Sequence, residues 1–143
     1  MNVSTILKNK GSDVITRHPE ATLSEIVSIL NEHKIGSVII VDASECVCGI
    51  VSERDIVGAI ANKGGSVLDE AVSVCMTEKV ITCTREDTIE KLMTEMTAYR
   101  FRHMPVVEDG KLVGLISIGD VVKQRMAETE MEAAALRDYI ATG

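Results

Sequence analysis

The sequence predicts an α+β fold built from two tandem β-α-β-β-α units packed against each other. Three observations predict it. Short β-branched runs alternate with amphipathic helical stretches, the order of these elements recurs once, and the recurring residues keep a nearly constant spacing. Val14-Ile15-Thr16 returns as Val80-Ile81-Thr82, an offset of 66. At the same offset Glu20, Thr22, Leu23 and Ile26 match Glu86, Thr88, Ile89 and Leu92, and Val41-Asp42 matches Val107-Glu108. After a one-residue difference in a turn, Gly49-Ile50-Val51-Ser52 matches Gly114-Leu115-Ile116-Ser117, and Asp55 matches Asp120. A register held through so many elements marks a duplicated unit.

Each element has a local reason. Thr22-Leu23-Ser24-Glu25 reads as a capping box, in which hydroxyl and carboxylate satisfy the free N–H groups of a helix start. Leu23, Ile26, Val27 and Leu30 follow at helical spacing, so the helix runs to about His33. Ser37 to Val41 is short and β-branched, hence a buried strand. Val47 to Val51 is its partner across a polar turn, and Ser52 opens a helix with Glu53 and Asp55 in its first turn. The second unit repeats the plan. It has a helix from Thr88 to about Tyr99, strands at Met104–Val107 and Leu112–Ser117, and a helical pattern from Asp120 to about Ile140. Pro105 lacks an N–H and belongs near a strand start or on an edge. Ser4 to Lys10 forms a further short helix, and Val67 to Val74 bridges the units as one or two helical turns. The chain divides into residues 1–65, an N-terminal helix with the first unit, and 66–143, the second unit with its C-terminal helix.

Composition narrows the function. The 143 residues suit one domain-sized body, and 45% hydrophobic with 26% charged residues is not a disordered composition. A net charge of −7 argues against a phosphate-tracking nucleic-acid surface. Tyr99, Phe101 and Tyr139 are too few to build a base-stacking platform. No apolar run reaches the roughly 20 residues of a membrane span, and the amino terminus carries no secretory pattern. Cys46, Cys48, Cys75 and Cys83 then read as reduced thiols, and the expected location is cytoplasmic. There is no phosphate-binding or dinucleotide-binding glycine loop. His18, His33 and His103 have no metal-ligand spacing. Catalysis is not expected.

What recurs is Ser-x-x-Asp at a strand-to-helix junction. A helix start offers free N–H groups and a positive dipole end that suit an anion, and a carboxylate can accept both hydroxyls of a ribose. Ser52 and Ser117 can equally be plain N-caps, with Asp55 and Asp120 tuning the dipole. In order and duplication the pattern resembles tandem CBS domains, the cystathionine-β-synthase-type pair or Bateman module, over about residues 10 to 130. The resemblance implies pseudo-two-fold packing and a regulatory module with no catalytic site. Its ligand would be AMP most readily, or NAD, ADP or ATP, in the clefts between repeats. It further implies that Asp55 and Asp120 hold ribose hydroxyls and that Ser52 and Ser117 assist at sugar or phosphate. Thr16, Thr82, Ser37 and Pro105 would belong to the same two pockets.

The copies differ in charge. Arg100, Arg102 and His103 stand where the first copy has Lys34, Gly36 and Ser37, whereas Arg54 lies in the first copy against Gly119 in the second. Arginine's planar fork suits phosphate, so these cations are candidate phosphate contacts; the alternative is a solvated surface. The expected partners are an adenosine-containing small molecule, a second copy of the chain in a homodimer, and a regulated protein. A ligand-free structural or interaction subunit is the other reading.

Overall fold

A computed structural model describes residues 1–142; Gly143 lies outside the described residues. A first helix α1 (Val3–Lys10) precedes the first repeat, which consists of β1 (Thr16–Arg17), α2 (Leu23–His33), β2 (Ser37–Val41), β3 (Val47–Ser52) and α3 (Glu53–Lys63). Two 3-10 turns, Gly65–Asp69 and Val72–Val74, lead to the second repeat. That repeat holds α4 (Ile89–Tyr99), β4 (His103–Glu108), β5 (Lys111–Ser117) and α5 (Ile118–Thr142).

In the first repeat the strand order is β1-β2-β3, with β1 parallel and β3 antiparallel to β2. The second repeat keeps the antiparallel pair β4-β5, but its first strand shrinks to a single parallel bridge between Cys83 and Val106. Pro105 is the third residue of β4. Val107 turns its N–H toward Cys83, so the bare nitrogen of Pro105, two residues back, faces that thinly paired side. The helix starts also differ in detail. Thr22 caps α2 as expected, but Glu25 reaches Arg17 Nε at 3.0 Å rather than closing the capping box.

Each repeat has its own core, and each core borrows from the segment ahead of the other repeat. Leu23, Ile26, Val38, Ile40 and Val51 pack with Val67 and Val72 of the 3-10 turns. Ile89, Leu92, Met104 and Ile116 pack with Val3, Ile6 and Leu7 of α1. The two glycines of the repeated Gly-h-h-Ser motif show why they recur. A Cβ on Gly49 would lie 2.6 Å from Met76 Sδ, and one on Gly114 would lie 2.7 Å from Leu7 Cδ2. In both copies a side chain from the segment ahead of the other repeat covers the strand where only glycine leaves room. At the helix ends, Lys34 and Arg100 occupy matching left-handed positions with φ of 53° and 58°.

Candidate functional site

Both Ser-x-x-Asp corners form in the same way. Strand β2 begins opposite the end of β3, with Ser37 in register with Ser52, and His103 is likewise in register with Ser117. The carbonyl of Gly36 accepts from Glu53 N at 3.0 Å, and that of Arg102 accepts from Ile118 N at 2.8 Å. A strand start and a helix start are thus tied together in each copy. Ser52 Oγ accepts from Asp55 N at 3.3 Å, and Asp55 Oδ2 accepts from Ser52 N at 2.9 Å and Ser52 Oγ at 3.1 Å. In the second copy Asp120 N donates to Ser117 Oγ at 3.1 Å, and Asp120 Oδ2 accepts from Ser117 N at 2.9 Å. The cap role is therefore realised twice. It uses Oδ2 of each carboxylate and leaves Oδ1 without a partner among the described residues.

The second corner carries a residue that motif reasoning missed. Lys10, the last residue of α1, places Nζ 2.7 Å from Asp120 Oδ2 and 2.9 Å from the carbonyl of Leu115. Burial pushes the Asp120 carboxyl up, but hydrogen bonds from Lys10 and Ser117 and the lysine's charge outweigh it and hold the group below the usual carboxylate range. Asp55 has no ion pair among the described residues. A signal for Lys10 does exist in the sequence. Leu7-Lys8-Asn9-Lys10 precedes one repeat as Met76-Thr77-Glu78-Lys79 precedes the other, and Leu7 and Met76 meet matching glycines.

The strand starts of the two repeats face each other. His103 Cε1 would lie 3.8 Å from a Cβ on Gly36, so the imidazole of one copy sits against the backbone of the other. Burial, with the charges of Lys10 and Arg102 adding to it against an opposing Asp120, holds the His103 imidazole below its ordinary pKa. Ser37 is 4% exposed and its hydroxyl has no partner among the described residues. Thr16 is half-buried in β1, whereas its counterpart Thr82 is exposed beside the Cys83 bridge.

The remaining cations are less gathered. Arg54, Arg100 and Arg102 are exposed, and Arg100 also serves as the left-handed cap of α4, while the rings of its neighbours Tyr99 and Phe101 stack on each other. Two grooves are also present, the first of them reaching Glu53 beside the first corner. One of about 550 Å3 runs between α2 and α3 along Val27, Leu30, Lys34, Glu53, Ile56, Val57 and Ile60. The other, of about 470 Å3, is walled by His18, Pro19, Glu20, Asp42, Ala43 and Glu45. No group of three or more His, Cys, Asp or Glu residues is arranged to hold a metal ion among the described residues. No described helix is long and apolar enough to cross a membrane.

Comparison with known proteins agrees with the duplicated architecture. The CBS domain family profile matches twice, at residues 10–62 and 70–127. The chain is 33% identical over 149 aligned residues to CBS domain-containing protein CBSX3, mitochondrial, of Arabidopsis thaliana, covering 99% of this chain and 72% of that one. The CBS-domain protein ATU1752 of Agrobacterium tumefaciens superposes with a TM-score of 0.83 at 48% identity, over 87% of this chain and 92% of that one. Two similar structures carry adenosine compounds. The CBS domain pair of protein MJ0100, in complex with 5-methylthioadenosine and S-adenosyl-L-methionine, has a TM-score of 0.79 at 26% identity, over 90% and 98% of the chains. The CBS domain protein PAE2072 of Pyrobaculum aerophilum, complexed with AMP, has a TM-score of 0.75 at 26% identity, over 84% and 89%. With two matched repeats taking in most of its length, this chain belongs to the CBS domain family and is a small CBS domain pair.

Proposed function

We propose that the chain is a regulatory module that binds an adenosine-containing ligand at its Ser-x-x-Asp corners and signals to a partner protein. The observation that carries this reading is the pair of carboxylates held in place by their own caps with Oδ1 left open. An acceptor fixed in this way suits the two hydroxyls of a ribose. Ser37, buried in register with Ser52, would be a further polar group for the first pocket. The adenosine ligands of two relatives support the ligand class. Within it, AMP is the first choice, because Lys10 bonds Asp120 at the second corner and His103, in register with Ser117, feels the charges of Lys10 and Arg102, a setting that suits a terminal phosphate. NAD, ADP and ATP follow. The role is regulatory rather than catalytic, and the four free thiols fit a reducing compartment such as the cytoplasm.

We propose further that the chain forms a homodimer. Val27, Val57 and Ile60 are exposed along the groove between α2 and α3, and Met93, Ile118 and Val122 are exposed on α4 and α5. The same apolar faces favour the second reading, a ligand-free interaction subunit. Mass spectrometry of what co-purifies, followed by thermal shift and calorimetry with AMP, NAD, S-adenosylmethionine and methylthioadenosine, separates the two. Saturable stabilisation by at least one of them supports the nucleotide module. No stabilisation by any of them supports the subunit.

A further inference from the structure

The C-terminal helix α5 is too long for the body that holds it. Its 25 residues span about 37 Å, yet only Val121 and Gln124 are buried, both in its first two turns. Leu136 is 59% and Ile140 69% exposed. Its outer half alone, about a dozen residues, is short enough to be marginal in water without tertiary packing, and so calls for a partner.

The sequence of α5 states which partner. Val122, Met126, Thr129, Ala133, Leu136 and Ile140 follow one another at alternating spacings of four and three. That is the 3.5-residue repeat of a coiled-coil seam, in which Met126, Ala133 and Ile140 take one core position and Val122, Thr129 and Leu136 the other. The flanking positions then fall on Lys123, Glu130 and Arg137 on one side and on Arg125, Glu132 and Tyr139 on the other. In a parallel in-register pair each residue flanking one side faces the residue five places on in its partner. This sets Arg125 against Glu130 and Glu132 against Arg137, each twice by symmetry. The fully overlapped antiparallel pair sets Glu130 against Glu130, Glu132 against Glu132 and Lys123 against Arg137. Every charged pair is attractive in the first arrangement and repulsive in the second. Arg125 is available to exchange partners, since its two intrachain contacts, to Glu90 and Glu128, are long at 3.4 and 3.5 Å.

We propose that residues 122–140 of α5 form a parallel, in-register two-stranded coiled coil with α5 of a second copy. The proposal rests on self-association of the chain and adds its seam and polarity. Two measurements test it on the full chain. The first is sedimentation equilibrium of Glu132→Arg, which places two cations against each other on each side. The dimer dissociation constant should rise roughly tenfold, and the further change Arg137→Glu should bring it back. The second is mild oxidation of Leu136→Cys beside the unaltered chain. Only the variant should give a dimer whose disulfide, mapped by peptide mass spectrometry, joins position 136 to itself rather than to Cys46, Cys48 or Cys75, because the parallel seam sets position 136 against itself. A dimer that ignores the charge reversal and does not cross-link at 136 overturns the seam and leaves self-association standing. A monomer at all concentrations for the unaltered chain overturns both.

Discussion

Lys10 Nζ lies 2.7 Å from Asp120 Oδ2, an ion pair that fastens the end of α1 to the first turn of α5. The two side chains are 37% and 22% exposed, so water screens the pair only in part. The contact makes the two corners unequal, because Asp55 carries the same cap without a cation. Asp120 titrates below its unfolded value, and its contribution to stability is therefore present above about pH 3.9 and lost as pH falls through the folded value. In Lys10→Ala the Asp120 carboxyl should titrate closer to its ordinary value, and less stability should be lost on acidification. Carboxyl-carbon NMR and acid unfolding measure the two effects. An unmoved Asp120 titration would show that the ion pair does not persist in solution.

Lys10 should also matter to the ligand. Its ammonium has three donors, and two are engaged by Asp120 and the carbonyl of Leu115. The third can reach a phosphate at the same corner. Calorimetry on Lys10→Ala should show AMP weakened by roughly tenfold, as expected for one charge-assisted bond, with adenosine little changed. Tighter adenosine binding in the variant would instead show that Lys10 competes with the ribose for Asp120.

The carboxylates themselves separate the two pockets. Asp120→Ala should weaken an adenosine ligand more than Asp55→Ala does, because the cations gather on the Asp120 side. Losing hydrogen bonds to a charged acceptor costs about 1.5–3 kcal/mol, or roughly ten- to a hundredfold in affinity. Both changes also remove a helix cap, so thermal unfolding is followed in parallel. Equal affinity losses in the two variants would show that the cations do not rank the sites.

How much of this was legible beforehand depends on range. The helices, the hairpins and the Ser-x-x-Asp caps rest on residues a few positions apart, and Thr22, Ser52 and Thr88 cap the helices that follow them as the pattern predicts. The duplication carried the topology, since one unit read locally could be applied twice. What escaped depends on contacts across the chain. Glu25 turns to Arg17 because that cation is brought close by β1, a placement no local box encodes. The first strand of the second repeat is reduced to the Cys83 bridge although Val80-Ile81-Thr82 repeats Val14-Ile15-Thr16 closely. Lys10 is 110 positions from Asp120 and stands outside the matched repeats' strands and helices. Arg100, whose charge in the sequence suits a phosphate, has a local backbone task as well, closing α4 in a left-handed conformation.

The crossed packing predicts unequal responses at the two matching glycines. In Gly114→Ala the new methyl meets Leu7, which is 7% exposed within the second core and has little room to move. In Gly49→Ala it meets Met76, a flexible side chain that is only partly buried. Overpacking costs about 1–3 kcal/mol. Gly114→Ala should lie toward the upper end of that range and Gly49→Ala toward the lower. Urea unfolding measures both, and Leu7→Ala should relieve the first variant. A larger loss at Gly49 would show that the 3-10 segment is the more rigid of the two covers.

If Arg102 and His103 hold phosphate, changing both to Ala should reduce AMP affinity sharply and adenosine affinity little, because the adenine pocket and Asp120 remain. AMP affinity should also fall as salt rises, since Arg102 is exposed and its pairing is screened. The pH dependence follows from the imidazole. Burial and the neighbouring Lys10 and Arg102 hold His103 below its ordinary value of 6.5, so it is neutral at pH 7 in the free protein. A phosphate placed beside it would raise that value, and AMP would then bind with uptake of a proton. Affinity for AMP should therefore weaken as pH rises through the raised value and level off above it, whereas affinity for adenosine should stay flat. Calorimetry in two buffers of different ionisation enthalpy reads the proton uptake directly. Zero uptake together with matched losses for AMP and adenosine in the double variant would remove the phosphate from this corner, and Arg102 would then belong to a surface that meets the partner protein.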